Sequence, residues 1–399
     1  MEAVAHSLRA ESVPQTARVL LVAPPAQGGL ARHVIYLLAS LHQEGFAVGV
    51  ACAANSPIAE AARERALPHY PIAVDPGAKP SRAALAALQM AGAIANHQAQ
   101  IVHTHSFGAG LIGALAVPLA RSAQLVATIH SYPPRATGMR ASRARHRWAM
   151  RQVIRRASRV ITVSEALRTD LLALFPEIAD KTSTIPNGID VSALVKGEPG
   201  EVRAGLGLPA EAPLVGMVAR LAPQKGISEF IRACHLLARK WPDVHFVLAG
   251  DGPLKDTACA LREELGLAQR LHLVGQVESA RELVNALAML VVASTSEGSS
   301  MVAMEAMARE KPVVGTRTGG VPEVVADGET GIIVEPGDPE ALARGMEALL
   351  RDPERAREMG EHGRRRAAQL FDVSLMLDRT KEVYADLLRS KMGTGGVQP

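Results

Sequence analysis

An α/β protein built from two Rossmann-like domains is the fold class this sequence predicts, and three observations predict it. The chain has 399 residues, too many for one ordinary core and enough for two domains of about 150–200 residues each. Short apolar runs alternate with helical patterns through both halves, the mark of βαβ units and parallel sheets. The runs end at glycines or polar residues, and in open α/β sheets ligands gather at the carboxyl ends of the strands.

The run from Arg18 to Ala23 stops at Pro24-Pro25 and reads as a buried parallel strand. Gly28-Gly29 follows, then a helical pattern from Leu30 to His42 with Val34, Leu37, Leu38 and Leu41 on one side. Gly45 closes it, and Phe46 to Cys52 is the next strand. Further strands are predicted over Ile101–Thr104, Leu125–Ile129 and Val160–Val163, ending at His105, His130 and Ser164. The longest apolar stretch, Phe107 to Ala120, contains three glycines and Pro118. It is too short and too broken to span a bilayer and reads as a buried helix.

The segment from Val191 to Pro213, rich in Gly, Pro, Ala and charge, reads as the interdomain linker. A second alternation then places strands at Leu214–Val218, His245–Ala249, Leu271–Val274, Leu290–Ala293, Pro312–Gly315 and Gly331–Val334. From Ala341 to Lys391 the pattern is helical and charged. The expected organisation is a domain over 1–195, a second over 196–370, and a C-terminal helix over 371–399 that packs back toward the first domain and ends in a flexible tail.

Composition narrows the class. Hydrophobic residues make up 48% and charged residues 21%, an ordinary soluble globular balance. Aromatics are only 3%, so recognition by polar groups is expected rather than by rows of stacking rings. Cys52, Cys234 and Cys259 lie far apart, without metal-ligand spacing, and read as small buried hydrophobes in a reducing cytoplasm. The N-terminus lacks the basic-then-apolar pattern of a signal peptide. Charge is uneven: residues up to Asp190 carry +8 and the remainder −4. No acidic residue occurs between Asp75 and Glu165, and nine arginines fall between Arg135 and Arg159. Such a segment suits an anionic membrane surface, at the inner face of the cell membrane, or an anionic acceptor. A solvated helix face is the alternative. No nucleic-acid role is expected.

Four constellations carry chemistry. Gly28-Gly29 sits between a strand and a helix, where missing side chains and free N–H groups suit a phosphate or a sugar hydroxyl; a glycine turn is also often only a turn. It is not a dinucleotide fingerprint, and the one near-match, from Gly205 to Ala210, follows no strand. Arg220 and Lys225-Gly226 place two cations where a strand meets a helix, which suits a diphosphate. Ser296 to Ala306 holds Glu297, Gly298 and a serine helix start, with Glu305 one helical stretch further on. Carboxylates there suit sugar hydroxyls. The last constellation is the strand-end histidines His103, His105 and His130. The His103-x-His105 spacing suits a metal, but no neighbouring Cys or carboxylate completes a site, so no metal is expected.

With these residues in order, the chain resembles the retaining glycosyltransferases of GT-B fold in glycosyltransferase family 4. The resemblance spans almost the whole chain. It rests on Gly28-Gly29, Thr128-Ile129-His130, Val163-Ser164-Glu165, Pro186 to Asp190, Arg220 through Gly226, Gly250 to Pro253, the Glu297/Glu305 pair, and Thr318 to Glu323. It implies two Rossmann-like domains facing each other across a cleft. It also implies transfer of a hexose-type sugar from a nucleotide diphospho-sugar, UDP preferred, to an acceptor hydroxyl in cell-envelope, polysaccharide or glycolipid synthesis. Arg220 and Lys225 would hold the diphosphate, Glu305 the ribose and Glu297 the transferred sugar. The backbone of Gly298, Ser299, Ser300, Met301 and Val302 would contact sugar hydroxyls and phosphate. Gly28 and Gly29 would cover the phosphate, His130 would meet the sugar, and the base would lie by Gly275, Gln276 and Val277. His105, Tyr132 and Arg135 are the acceptor-side candidates. Neither cofactor nor metal is implied. One departure stands out: many relatives carry Phe-Gly-Leu where this chain has Ser299-Ser300-Met301, which blurs the identity of the donor sugar. A sugar-nucleotide epimerase or hydrolase on the same fold, and a non-catalytic nucleotide-sugar-binding protein, are the competing readings.

Overall fold

In the computed structural model the described residues are 17–74, 80–120, 123–131, 140–193, 200–209, 211–277 and 280–393. They form two compact units, each organised around one parallel sheet. The first unit comprises residues up to Val163, Arg168–Ile185 and the chain from Met376 onward. The second comprises Ser164–Leu167 and Pro186–Leu375.

The first unit runs β1 (Arg18–Val22), α1 (Gly28–Gln43), β2 (Ala47–Cys52), α2 (Pro57–Glu64), β3 (His69–Pro71), α3 (Pro80–His97), β4 (Ile101–His105), α4 (Phe107–Ala120), β5 (Gln124–Ile129), α5 (Arg140–Arg156), β6 (Arg159–Thr162), α6 (Glu165–Leu174) and β7 (Thr182–Thr184). Its strand order is β3-β2-β1-β4-β5-β6-β7, parallel throughout. The chain moves outward from β1 to β2 and β3, then crosses back to β4 and continues the other way. The order therefore reverses between β1 and β4, and this switch point opens a crevice beyond the strand ends. Gly28 and His105 stand there.

Helix α1 forms because Ala31, His33, Val34, Leu37, Leu38 and Leu41 fall on one buried stripe at helical spacing. Gly28 enters it at φ +63°, in the left-handed region. Helix α4 is the predicted buried helix, with the predicted bounds. Its glycines let it lie close: a Cβ on Gly113 would come 2.7 Å from Thr104 Cγ2, and one on Gly110 2.9 Å from Val153 Cγ1.

The second unit continues with α7 (Gly200–Gly205), β8 (Leu214–Val218), α8 (Ile227–Ala238), β9 (His245–Ala249), α9 (Lys255–Glu264), β10 (Leu271–Gly275), α10 (Ala280–Ala286), β11 (Met289–Val292), α11 (Met301–Ala308), β12 (Val313–Thr316), α12 (Val321–Val324), β13 (Gly331–Val334), α13 (Pro339–Arg351), α14 (Pro353–Leu370) and α15 (Val373–Gly393). The strand order is β10-β9-β8-β11-β12-β13, again parallel, with its reversal between β8 and β11. The loops after these two strands hold Arg220, Lys225 and Glu297. Phe230, Phe246, Met346 and their neighbours fill the core beneath them.

From Met376, α15 joins the first unit. Tyr384 is fully buried there, Gln124 Nε2 donates to Leu387 O at 2.8 Å, and Lys381 pairs with Glu44 at 2.7 Å. Four expectations change. Strands β3 and β7 were not visible because each is a three-residue edge without alternation. The stretch read as a linker contains α7, which packs against α10. Cys259, on α9, is half-buried rather than buried. The sequence placed the domain break near residue 195, whereas Ile189 already belongs to the second unit. Its N–H bonds Phe371 O at 2.9 Å, and its carbonyl accepts from Val373 N at 2.8 Å.

Gly226 is the position where the second unit depends most on a glycine. Its φ is +67°, and a Cβ there would lie 1.9 Å from the Ala293 carbonyl oxygen. Left-handed backbone costs a side-chain-bearing residue about 1–2 kcal/mol before any clash. Gly226→Ala is expected to destabilise by at least about 2 kcal/mol, a fall in Tm of about 4–8 °C for a domain of this size. Gly92→Ala on α3, where a Cβ meets nothing within 4 Å, should leave Tm unchanged or raise it. Equal melting of the two variants would show that the loop yields freely.

Candidate functional site

Two loops at the second switch point line the candidate site of the second unit. After β8 the chain passes Arg220, turns through one short 3-10 turn at Pro223–Lys225, and enters α8 through left-handed Gly226. After β11 it passes Ser294, Glu297 and Ser300 before α11 begins. The loops are stitched together by Thr295 N donating to Gln224 O at 2.9 Å, and by Gly226 lying against the Ala293 carbonyl.

Hydrogen bonds from neighbouring strands fix the second loop. Thr316 Oγ1 donates to Ser294 O at 2.5 Å, Thr318 Oγ1 to Thr295 O at 3.2 Å, and Gly320 N to Glu297 O at 3.2 Å. Arg220 is exposed, but its backbone is clamped. Ala219 N bonds Ala249 O, and Leu221 N bonds Asp251 O. A Cβ on Gly250 would fall 1.8 Å from Ala219 O, and one on Gly252 2.5 Å from Leu221 O. The Gly250-Asp251-Gly252 motif thus lets one loop lie directly on another.

Within this frame Lys225 Nζ meets Glu297 Oε2 at 2.5 Å, and Ser294 Oγ reaches the same oxygen at 3.1 Å. The pair is largely shielded, with side-chain exposures of 25% and 13%. Partial burial strengthens such a pair beyond a surface ion pair. Ser300 caps α11 without a side-chain bond, and the first turn of a helix carries N–H groups with no intrahelical partner. Glu305 is buried on α11. Gly275 closes β10 at φ +68°, and its carbonyl accepts from Gly250 N at 2.7 Å; Gln276 beyond it is exposed and Val277 half-buried. Lys225 and Glu297 are therefore brought into contact, whereas the sequence assigned them separate tasks.

The motif Thr318 to Glu323 also gains a structural explanation. The Glu323 carboxylate accepts from Glu165 N at 2.8 Å and Ala166 N at 2.7 Å, capping the start of α6. Carboxylates at helix N-termini are stabilising. Val163-Ser164-Glu165 and Thr318 to Glu323 are thus two halves of one contact inside the second unit.

The first unit gathers histidines from three elements: His33 on α1, His103 and His105 on β4, and His130 just past β5. His33 to His130 ring centroids are 4.7 Å apart, His33 to His105 5.2 Å, and His103 to His105 4.2 Å. His105 Nδ1 lies 3.2 Å from His130 Nε2. Burial pushes His103 down to about 3, with the neighbouring His33 adding to the effect. Burial, then the other imidazoles, holds His105 and His130 well below the ordinary histidine range. All three are therefore neutral near pH 7. Burial also raises Tyr384, so its hydroxyl stays protonated; it pairs with His103 Nδ1 at 2.6 Å, and His103 Nε2 pairs with Thr128 Oγ1 at 2.7 Å. Ser106, directly after His105, is held at φ +85°, an uncommon conformation for a residue other than glycine.

Sequence reasoning found His105 and His130 but missed His33. The available signal was a histidine within the apolar stripe of α1, beside Val34 and Leu37. Tyr132 and Arg135 lie outside the described residues. Most of α5 after Arg147 is described: Arg147, Trp148, Arg151, Arg155 and Arg156 are exposed.

Known proteins match both halves. Residues 27–193 match the family model "Glycosyltransferase Family 4", and residues 200–366 match "Glycosyl transferases group 1". The α-maltose-1-phosphate synthase of Mycolicibacterium smegmatis is 32% identical, over 90% of this chain and 96% of its own. The α-D-kanosaminyltransferase of Streptomyces kanamyceticus is 28% identical over 72% and 77%. Among solved structures, Anabaena HepE in complex with UDP and glucose is 25% identical, covers 92% of this chain and 99% of its own, and superposes with a TM-score of 0.81. Sucrose-phosphate synthase from Thermosynechococcus elongatus, 23% identical over 94% and 100%, shares the fold with a TM-score of 0.79. On the matched motifs, the two parallel sheets and these relatives, the chain belongs to glycosyltransferase family 4 and is a glycosyltransferase of GT-B fold.

Proposed function

We propose that the protein is a retaining hexosyltransferase that takes a hexose-type sugar from a nucleotide diphospho-sugar, UDP-linked by preference, and needs no metal. The observation that carries this reading is the Lys225–Glu297 contact at the second switch point, beside exposed Arg220 and the start of α11. Two cations and a helix N-terminus suit a diphosphate, and a carboxylate among them suits sugar hydroxyls. HepE, crystallised with UDP and glucose, supports UDP as the nucleotide. The relative from Mycolicibacterium smegmatis, named for α-maltose 1-phosphate, supports an α-linked hexose product.

In the proposed reaction the acceptor oxygen bonds to the anomeric carbon as its bond to the donor phosphate breaks. The acceptor proton passes to the departing diphosphate oxygen on the same face, a route that asks for no dedicated protein base. Arg220 and Lys225 stabilise the charge that grows on the diphosphate. Fixed electrostatics of this kind is commonly the largest catalytic contribution. Glu305 holds the ribose, and Gly275, Gln276 and Val277 border the base. The backbone from Gly298 through Ser299, Ser300 and Met301 to Val302 serves phosphate and sugar, Gly28 and Gly29 serve the phosphate, and His130 meets the sugar. His105, Tyr132 and Arg135 serve the acceptor. A sugar-nucleotide epimerase or hydrolase would turn over donor without acceptor, and this chain is expected not to.

The acceptor is proposed to be anionic and lipid-linked, placing the enzyme at a membrane surface in cell-envelope, polysaccharide or glycolipid synthesis. Helix α4 packs against both α3 and α5, and the three helices expose Leu85, Leu88, Leu119 and Trp148, the last on the same helix as the exposed arginines. Exposed apolar and aromatic residues beside arginines suit anionic lipid. Among the described residues no helix is long and apolar enough to cross a membrane.

Four outcomes are expected. Arg220→Ala and Lys225→Ala should each lower kcat by about 100-fold or more with an intact melting profile, by analogy with loss of one oxyanion donor; wild-type turnover in either would remove the diphosphate assignment. Glu305→Ala should weaken UDP binding in a thermal-shift titration, since uniform ground-state binding appears in KM. Glu297→Gln should lower kcat yet leave residual activity, and a covalent glycosyl adduct on Glu297 would contradict the mechanism. The full chain should bind vesicles containing anionic phospholipid and release as salt rises, because exposed charges are screened beyond about 8 Å at physiological ionic strength. Vesicles that fail to bind at low salt would assign the arginines to a soluble acceptor or to bulk solvent.

A further inference from the structure

We propose that His33, His105 and His130 form a binding site for a divalent cation of the zinc type, and that an ion bound there inhibits the transferase. One ring nitrogen from each of the three lies within 4.8 Å of the others. His105 Nδ1 and His130 Nε2 are 3.2 Å apart. Two ligands on one tetrahedral zinc, each at about 2.0–2.1 Å, stand about 3.3–3.4 Å apart. The ring pair is therefore already at ligand spacing, and the His33 nitrogen would close in from within 4.8 Å.

Of the two nitrogens of His105, Nδ1 faces His130, while Nε2 is buried without a hydrogen-bond partner and lies outside the ligand set. His103 shows the contrast, since Tyr384 and Thr128 engage both of its nitrogens. It backs His105 at 4.2 Å between centroids and takes no part in ligation.

The donor set selects the ion. Three imidazoles without a carboxylate or thiolate suit zinc, copper or nickel, whereas magnesium and calcium take oxygen ligands. The ligands come from one helix and two strand ends, which are rigid supports. His130 keeps part of its surface open, which leaves the fourth position to water. The binding claim stands on this geometry alone. The inhibition claim also rests on the reading that His130 meets the transferred sugar, because an ion on His130 would deny the imidazole to the substrate.

The test uses the full chain with cobalt(II) chloride as a spectroscopic probe and zinc chloride as its competitor. One equivalent of cobalt should give the intense visible absorption of a low-coordinate site, zinc should displace it, and magnesium should not. His33→Gln and His130→Gln should each weaken zinc binding beyond the about 10–100-fold that loss of an outer-shell partner costs. Both should retain the wild-type melting profile. A second histidine pair, His245 and His272, lies 3.3 Å apart in the second unit, and His272→Gln should leave the affinity unchanged. Absence of the cobalt band, or equal zinc affinity in the trio variants and wild type, would overturn the site. Loss of binding in His272→Gln alone would also overturn it. Zinc should lower transferase turnover, and a chelator should restore it. If zinc binds through the trio yet leaves turnover intact, the inhibition claim falls together with the sugar-contacting role of His130, while the cation site stands.

Discussion

The contact on which most of the second unit's site depends is the approach of Gly226 to the Ala293 carbonyl. It brings the turn after β8 against the loop after β11, with no room for even a methyl group. Once these backbones touch, Thr295 N can bond Gln224 O, and Lys225 Nζ can reach Glu297. The strand order makes this approach available, because β8 and β11 are neighbours although three helices and two strands separate them in sequence. Reversal of order at a switch point leaves a crevice that loops from both sides must line. Here the crevice is narrowed by glycine and locked by Thr316, Thr318 and Gly320 from the next strand and its loop.

The first unit solves a different problem. Four imidazoles crowd one end of its sheet, and burial keeps His103, His105 and His130 from holding a proton near pH 7. Such a cluster is tolerable only if the rings remain neutral and their tautomers are set. Tyr384 and Thr128 engage one. The buried Tyr384 hydroxyl, on α15, meets His103 Nδ1, and Thr128 Oγ1 meets its Nε2. The C-terminal helix therefore does more than cover a sheet face. It supplies the polar partner that a β4 histidine needs, and Gln124 and Lys381 anchor the same helix on either side.

Much of this was legible in the sequence because the interior strands are strongly apolar and end at marked residues. The strands at Leu214, His245 and Gly331 begin and end where the pattern places them, and α4 does so too. What escaped has physical reasons. β3 and β7 are edges whose three residues carry no alternation to detect. Helix α7 is a single short turn set within turn-forming residues. The role of Glu323 could not be read locally, since its partners are the N–H groups of residues 158 and 157 positions away. His33 was hidden by its surroundings: a histidine in an apolar stripe looks like a core residue, and only the fold brings it to His105 and His130. The two glutamates were legible as a pair but not in their partners, because the ion pair with Lys225 spans 72 residues.

That ion pair bears on how the glutamate can act. Glu297 Oε2 is already engaged twice, by Lys225 and by Ser294. A carboxylate so engaged is a weaker nucleophile even through its other oxygen, because the cation and the hydroxyl draw on the charge that both oxygens share. It remains well suited to accept hydroxyl hydrogens through its second oxygen and to lend negative potential to the region. Lys225 is correspondingly compensated when no phosphate is bound. A diphosphate carries more charge than one carboxylate and so competes effectively for the ammonium group. In the proposed reaction, donor binding would shift Lys225 toward the phosphate and loosen its hold on Glu297, leaving the carboxylate's charge nearer the sugar as positive charge develops there. The same contact then explains why Lys225 and Glu297 are placed together.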